Sequence, residues 1–126
     1  MNAQHIPCII FAVNQKSLEE DSALINQKIE KEPLTLIGSW EGKVEWSFLV
    51  TVDYLAEVQQ LARETKQESI LYLDNERQAY LLEKEDDYQL NKAVHIGRFI
   101  EASKEVALKE KGYTYNTTTN KYYIVA

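Results

Sequence analysis

The sequence predicts an α+β sandwich, a mainly antiparallel sheet with two helices on one face and a β-rich C-terminal extension. Three observations carry this. A dense apolar run near the N-terminus reads as a buried strand. A long central stretch alternates with period two, and two amphipathic segments of helical spacing lie on either side of it. The resulting order, β-α-β(β)-α-β, is ferredoxin-like. At 126 residues the chain has room for one ordinary domain, 1–126, which buries roughly two-thirds of its unfolded surface.

The first strand spans Ile6 to Val13, with Pro7 near its start, where a missing N–H matters least. Leu18, Leu24, Ile25 and Ile29 then form one apolar stripe between charges, so Leu18 to Lys31 is an amphipathic helix, ended by Pro33. From Leu34 to Val52 the even positions are mainly apolar and the odd positions mainly polar. This stretch is too long for one ordinary strand and bends near Glu41–Gly42. Asp53 is placed to cap a second helix reaching about Lys66, with Tyr54, Leu55, Val58, Leu61 and Ala62 as its buried stripe. Ser69–Leu73 and Gln78–Glu83 read as strands joined at Asp74-Asn75-Glu76. A charged loop, Glu83–Asn91, leads to an extended Val94–Ile100. Ser103 caps a short helix stopped by Gly112, and Tyr113–Val125 forms a hairpin around Asn116–Asn120.

Composition narrows the function. The net charge of −6 disfavours phosphate-mediated nucleic-acid binding, which expects a basic face. The N-terminal apolar run is too short to span a membrane and has no basic region before it, so a cytoplasmic location is expected. The single cysteine, Cys8, excludes an internal disulfide and any multi-cysteine metal site, and its apolar strand predicts a buried structural thiol. His5 and His95 flank no ligand set, and no metal or cofactor is expected. Eight Tyr and two Trp beside three Phe suit half-buried faces, pockets and subunit contacts, and also ordinary strand surfaces.

No Gly-rich phosphate loop, HExxH or nucleophile elbow is present. What remains is the odd face of the long β segment, where Glu41, Lys43, Glu45 and Ser47 are bordered by Trp40 and Trp46. A carboxylate beside aromatic rings holds a cationic or partly aromatic ligand by charge and stacking. Taken alone, the same pattern describes a solvated strand face with mixed charges.

Four segments occur together in order: GSWEGKVEWSFLV (Gly38 to Val50), QLARETKQESILYL (Gln60 to Leu73), RQAYLL (Arg77 to Leu82) and IGRFIEASKEVALKEKGYTY (Ile96 to Tyr115). Together they resemble the small phage-encoded S-adenosylmethionine-degrading enzymes, described first as hydrolases and then as lyases. The resemblance implies a PII-like fold assembled as a trimer, with active sites between subunits. It also implies a catalytic Glu on the central β segment with an upstream aromatic, which map to Glu45 and Trp40, and Glu41 is a rival for the acidic role. Ser47 and Gln78 are further polar candidates for substrate binding. The implied products are 5′-methylthioadenosine and L-homoserine lactone, formed without metal or cofactor. The implied biological effect is removal of the methyl donor used by restriction-modification systems in the host cytoplasm. Two other readings remain open: a PII-like binding module without turnover, and an anti-defence protein acting by direct contact.

Overall fold

All four side chains of β1 (Cys8–Phe11) are buried, because this strand has a core on each face. The computed structural model describes residues 5–126. After β1 come α1 (Leu18–Asn26), β2 (Leu34–Trp40), β3 (Lys43–Thr51), α2 (Leu55–Thr65), β4 (Ser69–Leu73) and β5 (Gln78–Glu83). The chain continues with β6 (Val94–Ala102), the single turn α3 (Lys104–Ala107), β7 (Gly112–Asn116) and β8 (Lys121–Val125). Every strand pair is antiparallel, and the sheet closes on itself in the order β1-β3-β2-β7-β8-β6-β5-β4.

This closure overturns the expected ferredoxin-like or PII-like sandwich. The first six elements do follow β-α-β-β-α-β. The C-terminal strands, however, are not an appendage to an open sheet. β7 pairs with β2, β6 pairs with β5, and β8 joins β6 to β7. An open sheet would leave rows of unpaired N–H and C=O groups at β2 and β5, and the three last strands satisfy them.

The barrel carries one core outside its wall and one within. Outside, Ile9, Phe11, Phe48 and Val50 pack with Ile25, Val58 and Leu61 of the helical segments. Within, Cys8, Ile10, Leu36, Leu73 and Ala79 meet Leu49, Leu71, Phe99 and Val125. Period-two alternation sends neighbouring side chains of each strand to opposite cores.

The helices differ from expectation at their ends. α1 stops at Asn26 rather than Lys31, although Ile29 beyond it is still fully buried. Ser17 caps it, accepting from the Glu20 N–H at 3.1 Å. Asp53 does not cap α2: it lies in a 3-10 turn, Val52–Tyr54, and no side chain caps that helix. The expected charged loop after β5 is pinned by Tyr88, which is buried and shares its single hydroxyl proton between the carbonyls of Ala62, in α2, and Gln67, just beyond it. Arg63 and Asp87 pair alongside at 2.6 Å, which holds the Asp87 carboxyl below its usual range.

Candidate active site

β2 and β3 are joined by a two-residue turn in which Glu41 (φ 48°) and Gly42 (φ 84°) are both left-handed. This conformation matches the twist of paired strands, and it sets which residues share a face. Trp40 pairs with Lys43, Gly38 with Glu45 and Leu36 with Ser47. Even residues of β2 therefore share a face with odd residues of β3. Trp40, Lys43, Glu45 and Ser47 lie on the face continuous with the barrel interior, which Leu36 and Leu49 share. Trp46 does not border that face as the sequence suggested: it lies opposite Ile37 on the outer surface.

The register extends the inner row across five strands. Glu45 (β3) faces Gly38 (β2), Gly38 faces Thr114 (β7), Thr114 faces Tyr123 (β8), and Tyr123 faces Glu101 (β6). Gly38 carries no side chain, so Glu45 and Thr114 flank an opening two strand spacings wide, roughly 9–10 Å between backbones. Ser47 forms its floor: a Cβ placed on Gly38 would fall 2.7 Å from the Ser47 Oγ. Trp40 stands beside the opening as a diagonal neighbour of Glu45, at a typical backbone separation of about 7–8 Å.

Ser47 is buried, whereas Glu45 and Trp40 are exposed. Among the described residues the ion pairs are Lys28–Glu64, Arg63–Asp87 and Lys121–Glu101, so Glu45 is held by none of them. The other carboxylate of the row, Glu101, is answered by Lys121 at 3.4 Å. A solvent-facing carboxylate and an indole at one opening, with a hydroxyl at its floor, suit a small cation bearing a planar group.

The other two sequence candidates lie apart. Glu41 sits in the turn, its N–H bonded to the Lys111 carbonyl at 2.6 Å, rather than on the strand face. Gln78 is on β5, separated from β3 by β1 and β4. Its Oε1 lies 2.8 Å from the His95 Nε2 on the outer surface, so within one chain it does not join Glu45. Sequence reasoning missed Gly38, Thr114, Tyr123 and Glu101 as members of the row. Gly38 was legible as a break in the apolar alternation, but the others needed the barrel pairing.

Cys8 is buried in the inner core, with the Arg77 Nη1 at 3.5 Å from its sulfur, and burial pushes its thiol up. It is thus poorly suited to act as a nucleophile. Among the described residues no group of three or more His, Cys, Asp or Glu is placed to hold a metal ion, and no helix is long and apolar enough to cross a membrane.

The family model for S-adenosylmethionine lyases matches residues 11–126, covering β2, β3 and every strand of the row. The chain belongs to the S-adenosylmethionine lyase family. It is therefore an enzyme that cleaves S-adenosylmethionine. No curated protein matches the lyase's sequence significantly.

Proposed function

We propose that the enzyme converts S-adenosylmethionine to 5′-methylthioadenosine and L-homoserine lactone, using the substrate's own carboxylate as nucleophile. A carboxylate oxygen bonds to Cγ while the Cγ–S bond breaks. The bonding pair goes to sulfur, and the sulfonium becomes a neutral thioether. Opposite charges cancel on the way to the transition state, so a site that removes water from the methionine arm favours the reaction. The protein's main task is to fold that arm so the carboxylate reaches Cγ, and such positioning supplies up to about 7–11 kcal/mol in the best cases.

The observation that carries this reading is the Glu45 carboxylate, in no ion pair among the described residues, on one face with the exposed Trp40. Glu45 anchors the ammonium or sulfonium side of the arm, and Trp40 stacks on adenine or faces the sulfonium. Ser47 lends a hydroxyl from below. Gln78 enters the site only if a neighbouring subunit brings it there.

The enzyme works as a homotrimer with sites between subunits. Two features support this. The first five residues of β3, Lys43 to Ser47, lie beyond the β1 pairing and leave an edge beside Glu45. An apolar row also crosses the outer surface, Trp46–Ile37–Tyr115–Tyr122, with Val44 63% exposed next to it. The sequence similarity to phage-encoded enzymes supports a role in the host cytoplasm, where depletion of the methyl donor blunts restriction-modification.

The test is mass spectrometry of S-adenosylmethionine incubated with purified protein. Methylthioadenosine with homoserine lactone is the expected result. Methylthioadenosine with homoserine as the first product contradicts internal attack, and bound but unchanged ligand contradicts turnover of this kind.

A further inference from the structure

Trp40 ends β2 with 62% of its surface exposed, so core packing does not fix its ring. Its partner across the β2–β7 ladder is Gly112. A Cβ placed on Gly112 would fall 2.6 Å from Cε3 and 3.1 Å from Cζ3 of Trp40. The benzo ring of the indole therefore rests on the β7 backbone, in the space a side chain would fill. Gly112 is not among the residues with positive φ, so the backbone conformation does not demand glycine there. The ring does. An aromatic covering a cross-strand glycine gains contact area and loses rotational freedom.

We propose that Gly112 is a positioning residue: its bare backbone seats the Trp40 indole over β7, at the mouth of the site and across β2 from Glu45. This rests on the reading that Trp40 contacts the substrate. A ring held in place before binding need not be ordered during it, so Gly112 contributes to substrate affinity without touching substrate.

The test uses the full-length enzyme carrying Trp46→Phe, which leaves Trp40 as the single tryptophan. Adding Gly112→Ala is expected to shift Trp40 emission to the red and raise the KM for S-adenosylmethionine about tenfold, the scale of one lost ring contact, with kcat changed less than about threefold. In a Trp40→Ala background the same Gly112→Ala change is expected to have no further effect on KM. An equal effect there marks a role through the fold and overturns the proposal. Wild-type KM in Gly112→Ala with an impaired Trp40→Ala overturns it while leaving the Trp40 reading intact. Wild-type KM in Trp40→Ala overturns both. Should Gly112→Ala not fold, the Trp46→Phe enzyme decides alone: its anisotropy decay is expected to lack a fast local component, and a freely rotating Trp40 overturns the proposal.

Discussion

Gly38 faces Glu45 directly across the β2–β3 ladder, and the space its missing side chain leaves is closed from below by the Ser47 hydroxyl. Substrate bound at Glu45 needs that space empty. In Gly38→Ala the new methyl lies 2.7 Å from the Ser47 Oγ, so one of them must shift. Overpacking of this kind costs about 1–3 kcal/mol. Adding Ser47→Ala relieves the contact but leaves the opening filled. Thermal denaturation is expected to show the double variant recovering most of the lost stability. Steady-state kinetics is expected to show KM still raised. Full recovery of both measures removes the opening from the site.

Glu45→Gln keeps the side chain's shape and deletes its charge. Because Glu45 is exposed, the fold is expected to be unchanged. Loss of a charge-assisted contact made with the reacting substrate predicts a fall in kcat/KM of roughly 30- to 1000-fold, about 2–4 kcal/mol. Glu41→Gln, in the turn, is expected to change kcat/KM less than about threefold, within the range of surface substitutions. The reverse ranking transfers the acidic role to Glu41.

Asp21 makes stability depend on pH. It is 2% exposed at the start of α1 and accepts from the Gln15 N–H at 2.7 Å. Burial pushes its carboxyl up, opposed by the Gln15 hydrogen bond and reinforced by the nearby Glu20. The folded state thus holds this proton more tightly than the unfolded state. The linked stability is complete below the ordinary carboxylate pKa and is lost as pH rises through the raised folded value. Asp21→Asn cannot ionise and can still accept from Gln15. Urea midpoints from about pH 3 to about pH 7 are expected to show wild type losing ground to Asp21→Asn as pH rises through that window. A constant difference contradicts the assignment.

Tyr88→Phe removes the hydroxyl proton shared between the Ala62 and Gln67 carbonyls and leaves the ring in the core. The expected loss is about 1–2 kcal/mol in denaturant unfolding, with wild-type kcat/KM at ambient temperature. Loss of activity in the folded variant would give this loop a role in the site.

Local pattern carried much of the strand assignment. β4 and β5 occupy the ranges their β-branched and aromatic runs mark, and the chain turns back at Glu41–Gly42. Closure of the barrel was not legible, because nothing local in Tyr113–Asn116 states that this strand pairs with Ile37–Trp40 rather than only with β8. The site was half legible for a similar reason. Glu45, Ser47 and Trp40 share a face, yet the two-residue turn reverses the phase between β2 and β3, sending Trp46 outward and bringing Trp40 in. Gln78 carried no signal of its distance from Glu45, since strand order is a property of the whole sheet.

Internal attack by the substrate carboxylate leaves a distinctive oxygen-isotope pattern in the product. With enzyme and S-adenosylmethionine in heavy-oxygen water, early lactone is expected to be free of the label, because both its oxygens come from the substrate. Homoserine labelled in its side-chain hydroxyl at the earliest times would show instead that water attacks Cγ, and would overturn internal attack.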